Sequence, residues 1–194
     1  MTPKILIGLT GKAGSGKSTI AQHLVDRHHF ARISLADPIR NGIAAMFPIP
    51  TNCLIDRDLK EQPHLALCGK SPREAMQTLG TEWGRRMIGD NIWLHVAQHK
   101  IDYTKDIETI RGIVVDDIRF ENEADWIRNQ GGEIWHVRRY ENPNGTQIKH
   151  ESENGVSHEI SEMELFNNKD IDYILSRVDK LMEIINSEVC HVAT

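Results

Sequence analysis

Residues 8–19 read GLTGKAGSGKST, and no other stretch restricts the fold so tightly. Gly11, four residues, Gly16, Lys17 and Ser18 satisfy the spacing of a phosphate-binding P-loop. Glycines let the backbone wrap closely around phosphate oxygens, and successive N–H groups then point inward. Such a loop works between a strand and a helix, and both flanks fit. KILIGLT, residues 4–10, is a short apolar run with β-branched residues, expected to be a buried strand and not a signal peptide. From Ser18 onward, Ile20, Ala21, Leu24 and Val25 recur at helical spacing, and the helix adds its positive end to the loop. Gly11, Ala13, Gly14, Ser15, Gly16, Lys17, Ser18 and Thr19 are therefore expected to hold a nucleoside triphosphate. Lys17 is expected on the β- and γ-phosphates and the Ser18 hydroxyl on magnesium.

The rest of the chain alternates strands with helices. FARISLA (30–36), IRGIVVDDIRF (110–120) and GEIWHVRRY (132–140) read as strands. DPIRNGIAAMF starts a helix with Asp37 as cap and Pro38 at the first helical position. SPREAMQTLGTEWGRRMI starts another with Ser71, Pro72 and Glu74, and its stripe is Ala75, Met76 and Leu79. NIWLHVAQHKIDYT and ENEADWIRNQG are further helices, the latter closed by Gly131 and Gly132. Residues 48–70 read as irregular. Residues 159–187 read as helical with a short strand-like DYIL inside. This pattern predicts an α/β protein of the P-loop NTPase type, with a mainly parallel sheet between helical layers. A single domain over 1–194 is expected, with an acceptor-binding helical region at about 37–95 and a polar lid loop at about 140–160. In such sheets ligands bind beyond the carboxyl ends of the strands. That brings the Gly-rich loop, Asp37, Asp116, Asp117, Arg119, Arg138 and Arg139 toward one crevice.

Composition removes several classes. The net charge of −5 excludes a broad electrostatic grip on nucleic acid polymer, though not a local basic pocket. No apolar run approaches a membrane span. Three widely spaced cysteines suit a reducing compartment such as the cytoplasm. Cys53, His64 and Cys68 match no usual zinc spacing. The chain has no N-K-x-D base-reading motif of a Ras-type switch, and its length leaves little for a motor. A small-molecule kinase is the expectation that remains.

Five segments, SLADPIR, SPREAMQTLGTEWGR, DNIWL, VVDDIRFENEADWIR and GGEIWHVRR, follow the P-loop in order. Together they resemble the motifs of the bacteriophage deoxynucleoside monophosphate kinases, over most of the chain to about residue 162. The resemblance implies transfer of the γ-phosphoryl of ATP to the 5′-phosphate of a deoxynucleotide, with Mg2+. It implies catalytic roles for Lys17, Asp117 and Arg119, with Ser18 and Asp117 at the metal; Asp116 is an additional acid beside the matched one. It places Asp37, Ile39, Arg40, Arg73, Gln77, Gly80, Thr81, Trp93, Arg119 and Glu123 on the acceptor. Guanidinium suits phosphate geometry, a tryptophan face suits a base or sugar, and Gln77 suits a base edge. For each arginine a surface ion pair is the competing reading, and for Trp93 it is core packing. Small-molecule nucleotides are the implied partners, with no membrane and no nucleic acid polymer, for a monomer or homodimer in the cytoplasm, the host's if viral. The chain departs from the family where DYILSRVDKL lacks the usual strand and Asn-x-Gly turn, and where SHEISE, with His158, is an imperfect match. Dephospho-coenzyme A kinase, which opens with a similar loop, and a nucleotide-binding regulator without turnover are the alternatives.

Overall fold

The structure is a computed structural model that describes residues 4–139, 156–157 and 162–192, the last five as backbone only. The lid expected at 140–160, and His158 within it, lie outside the described residues apart from 156–157. Among the described residues five strands form one sheet: β1 (Ile5–Thr10), β2 (Phe30–Ile33), β3 (Gly112–Ile118), β4 (Glu133–Arg138) and β5 (Met163–Phe166). Their order is β2-β3-β1-β4-β5 and every neighbouring pair is parallel. The helices are α1 (Lys17–His28), α2 (Asp37–Met46), α3 (Asn52–Ile55), α4 (Pro72–Gln77), α5 (Ile92–Lys105), α6 (Glu121–Asn129) and α7 (Ile171–Val192). No helix among the described residues is long and apolar enough to cross a membrane.

The chain divides into two compact units, one of Met1–Ile33 with Lys100–Thr194 and one of Ser34–His99. In the first, the sheet is covered on both faces, so its strands are apolar nearly throughout. On one face Ile7, Leu9, Val114, Trp135, Val137 and Leu165 pack with Ile20, Ala21 and Leu24 of α1 and with Ile174, Val178 and Met182 of α7. On the other face, Gly8 lies against the side chains of Ile118, Ile134 and Ile127, the last from α6.

The final strand is not where the sequence pattern places it. DYIL, residues 172–175, is the first part of α7, and the strand is MELF at 163–166. Ile174, Val178 and Met182 recur every four residues on one buried face, which extended chain cannot present. Asp170 fixes the start of α7 by accepting a hydrogen bond from the Tyr173 N–H at 2.8 Å.

In the second unit, Ser71 begins α4 as expected. Its Oγ accepts from Glu74 N at 3.2 Å and Glu74 Oε2 accepts from Ser71 N at 2.9 Å. The Ser71 N–H foremost, then the Lys70 ammonium, hold the Glu74 carboxyl below its usual range. The stretch 48–70, expected to be irregular, contains α3 and two single 3₁₀ turns. The helix predicted through Ile88 changes winding after Gln77, and Thr78–Ile88 is a π-helix. Its end shows the wider i→i+5 pairing, Gly89 N to Gly84 O at 3.0 Å. A Cβ on Gly84 would lie 2.5 Å from Cζ2 of Trp93. We therefore expect Gly84→Ala to destabilise the protein by about 1–3 kcal/mol through overpacking. Urea unfolding would read this as a lower midpoint at unchanged slope. An unchanged midpoint would mean that the indole moves aside freely.

Candidate active site

The loop after β1 has the geometry that its glycines permit. Gly11, Gly14 and Gly16 take φ of 139°, 78° and 112°, values that side-chain-bearing residues rarely adopt. A Cβ on Gly11 would lie 2.2 Å from the Val137 carbonyl oxygen of the neighbouring strand. Gly16 precedes α1 with no side-chain cap, so the first N–H groups of α1 have no competing acceptor from that position. The Lys17 ammonium folds back over the loop and donates to the carbonyls of Gly11 and, at 2.9 Å, Lys12. The Ser15 hydroxyl is buried with no hydrogen-bond partner among the described residues. A buried polar group in that condition costs about 1–3 kcal/mol, a cost that functional sites carry.

Beside this loop, β3 ends in the two aspartates. Gly8 pairs with Val115 and Thr10 with Ile118, so two steps along β1 match three along β3. The extra residue is a bulge at Asp116–Asp117, a device that re-aims side chains next to active sites. Asp116 is 5% exposed, and its Oδ2 accepts from Arg32 Nε at 2.8 Å and from Arg32 Nη2. Asp117 is partly exposed and Arg119 exposed. Thus the P-loop, Asp117, Arg119 and Arg138 occupy the carboxyl ends of the adjacent strands β1, β3 and β4. Arg138 is a surface ion pair, with Nη2 2.6 Å from Glu164 Oε1. Glu123 is 4% exposed, and its Oε2 accepts from the backbone N–H groups of Arg119 at 2.8 Å and Phe120 at 3.2 Å. Its carboxylate therefore shapes the turn that carries Arg119 into α6.

One contact in this unit was not legible in the motifs. Asn167 follows β5 directly; its N–H donates to Arg138 O at 2.7 Å and its Nδ2 to the P-loop carbonyl of Ser15 at 2.8 Å. A Cβ on Gly16 would lie 2.5 Å from that Nδ2. The sequence signal is the pair of asparagines after MELF, followed by Lys169 and not by the glycine of an Asn-x-Gly turn. Arg32, the partner of Asp116, had no sequence signal of its own.

The Ser34–His99 unit holds most of the residues assigned to the acceptor. Asp37 lies inside the first turn of α2 and is not its cap; the position before it is Ala36, with no side-chain cap. Its Oδ1 accepts from Arg40 Nη1 at 2.7 Å, and that nitrogen also lies 3.2 Å from Ser34 Oγ. Arg40 Nε and Gln77 Nε2 are buried donors without a hydrogen-bond partner among the described residues. Arg73 Nε donates to Glu61 Oε1. Ile39 is part of an apolar cluster with Ile43, Ile49, Leu54 and Leu67, and a Cβ on Gly80 would lie 2.9 Å from its Cδ1. Gly80 thus permits a close approach of its helix to α2. Thr81 is buried. Trp93 donates from Nε1 to Gly80 O at 2.7 Å and lays its ring edge over Gly84. These contacts pack one edge of the indole, and the residue stays partly exposed. His64 Nδ1 accepts from Ala66 N, and it forms no metal-ligand group with Cys53 and Cys68.

Comparison with known proteins is consistent across sequence and structure. The family described as deoxynucleotide monophosphate kinase matches residues 69–178. A putative deoxynucleotide monophosphate kinase of Acanthamoeba polyphaga mimivirus is 34% identical over 144 residues, which span 70% of this chain and 74% of that protein. The deoxynucleoside-5′-monophosphate kinase of Escherichia phage T5 is 38% identical over 58 residues, 30% of this chain and 22% of that protein. The crystal structure of TT1252 from Thermus thermophilus superposes with a TM-score of 0.53, covering 93% of this chain and 97% of that one. At 18% identity, that likeness speaks for the fold alone.

Proposed function

This chain belongs to the deoxynucleotide monophosphate kinase family, and we propose from that premise that it transfers the γ-phosphoryl of ATP to a deoxynucleoside monophosphate, giving the diphosphate and ADP. The observation that carries the reading is the phosphate cradle, three positive-φ glycines before an uncapped α1 with Lys17 folded over them. In this reading the backbone N–H groups of residues 13–19 bind the ATP phosphates, and Lys17 swings from the Gly11 and Lys12 carbonyls to the β- and γ-oxygens. The Ser18 hydroxyl and the Asp117 carboxylate are hard oxygen donors that suit Mg2+, and Asp116 keeps the bulge in shape through Arg32. Magnesium held by Ser18 and Asp117 would supply positive charge that offsets the negative charge building up on the phosphates. Arg119 stabilises charge on the transferred group, where little covalent chemistry is asked of the protein.

The Ser34–His99 unit serves the acceptor, with Asp37, Arg40, Arg73 and Gln77 as its polar contacts. The unpaired buried nitrogens of Arg40 and Gln77 support this, because a nucleotide offers phosphate and base-edge acceptors to such donors. Ile39, Gly80, Thr81 and Trp93 shape that surface from beneath, and Glu123 acts through the Arg119 turn. The protein acts on small-molecule nucleotides, as a monomer or homodimer in the cytoplasm.

An ADP-release assay tests this with ATP, Mg2+, the four common deoxynucleoside monophosphates, their ribonucleotide counterparts and dephospho-coenzyme A. Turnover with deoxynucleotides is expected. Turnover with dephospho-coenzyme A alone would overturn the substrate, and ATP binding without turnover on any acceptor would overturn the reaction. Asn167→Ala is expected to raise the KM for ATP about five- to tenfold, the worth of one lost hydrogen bond, and to leave that for the acceptor unchanged. An unchanged KM for ATP would show that the loop holds its shape without Asn167.

A further inference from the structure

His23 and His28 lie on α1, and Asp179 lies on α7. Each imidazole presents the same atom, Nε2, to the same oxygen, and both stand 2.7 Å from Asp179 Oδ1. The two rings meet edge to face with centroids 5.7 Å apart. One ligand atom from each residue falls within 4.8 Å of the other two, and this is the one such group of His, Cys, Asp or Glu among the described residues. None of the kinase chemistry uses it. Lys17 is the first residue of α1 and His28 the last, so His23 and His28 sit about 9 and 16 Å along the helix axis from the P-loop lysine.

We propose that His23, His28 and Asp179 bind a divalent transition metal ion, with zinc as the fitting member of the class. Two imidazole nitrogens and one carboxylate oxygen are a zinc donor set, whereas magnesium prefers all-oxygen shells. Ligand atoms on a tetrahedral zinc with bonds of about 2.0–2.2 Å stand roughly 3.3 Å apart, which small side-chain rotations reach from the present spacing. Each ring must carry its proton on Nδ1, a tautomer shift that changes no charge. The two histidine side chains are 13% and 18% exposed and Asp179 41%, which gives the ion a path and a water as fourth ligand. Two further features favour a cation here. The carboxyl end of α1, with its partial negative charge, lies beside His28. His29, at φ 58°, closes the helix with its N–H on Leu24 O, so the His28 backbone is fixed. The ion would pin the helix that starts at the P-loop to the helix that ends the described chain.

The test uses the full chain stripped with chelator and titrated with Zn2+ or Co2+, without nucleotide, and compared with His23→Gln/His28→Gln and with Asp179→Asn. Wild type is expected to bind one equivalent more than either variant, and to rise in Tm with Zn2+ but not with equal Mg2+. Loss of a ligand should weaken that equivalent by more than the roughly 10- to 100-fold that an outer-shell change costs. Asp179→Asn keeps the shape of the group, and a Tm in chelator close to wild type separates lost ligation from lost fold. Independently of any variant, bound Co2+ in wild type should show the intense visible band of a four-coordinate site. Equal Zn2+ stoichiometry and Tm response in wild type and variants, or only the weak spectrum of octahedral aqueous Co2+, would overturn the site and leave a hydrogen-bonded trio. Neither result bears on phosphoryl transfer, which the ADP-release assay reads separately.

Discussion

Lys17→Ala is expected to lower kcat/KM about 10³-fold or more, with Tm within a degree or two of wild type. The size follows from what the ammonium does. In the proposed reaction it is the side-chain cation of the P-loop motif that reaches the β- and γ-phosphates, at the point where charge shifts during transfer. Removing one well-placed donor from such a site typically costs 10²- to 10³-fold, and this one carries a full charge. The fold should tolerate the change, because the loop carbonyls of Gly11 and Lys12 that accept from the ammonium are served equally well by water. The check is ADP release at saturating acceptor beside a thermal melt. Wild-type turnover would remove the loop from the chemistry.

The second large effect is expected from Arg119→Ala, a loss of about 10²- to 10³-fold in kcat with the Kd for ATP changed less than about threefold. Arg119 is exposed at the end of β3, so its truncation should cost little stability, and the lost rate reads as lost charge on the transferred group. Its backbone is separately anchored by Glu123 Oε2, which the substitution leaves in place. Isothermal titration with ATP and single-turnover transfer together decide the matter. Equal losses in binding and rate would make this arginine a structural one.

How legible the chain was depended on the range of the interaction behind each feature. The P-loop, α1, the Ser71 cap and strands β1, β3 and β4 are local in cause: spacing, periodicity or a cap within a few residues. They were readable, and so was the parallel α/β class that their alternation implies. Features set by distant partners were not. The last strand was misplaced onto DYIL because MELF is only four residues long and is a strand by virtue of pairing with β4. The packing partners of Trp93, the Gly80 carbonyl and the bare surface of Gly84, lie outside the DNIWL motif that singles it out. Asp116 and Asp117 look equivalent in a string. A register slip against β1 and an arginine 84 positions away distinguish them. Glu123 also holds the backbone N–H groups of the Arg119 turn, a role that a motif does not reveal.

The Asn167 brace has a consequence for the order in which a ribosome delivers the chain. The Gly-rich loop leaves the exit tunnel some 150 residues before the amide that holds its Ser15 carbonyl is made. β1 sits in the interior of the sheet between β3 and β4, so it too waits for most of the polypeptide. A nascent chain halted before residue 163 would carry every motif residue through Arg139 and still lack the brace on its loop. The loop is thus made well ahead of β3, β4 and β5, yet the contact that braces it forms only once the residue after β5 has been made.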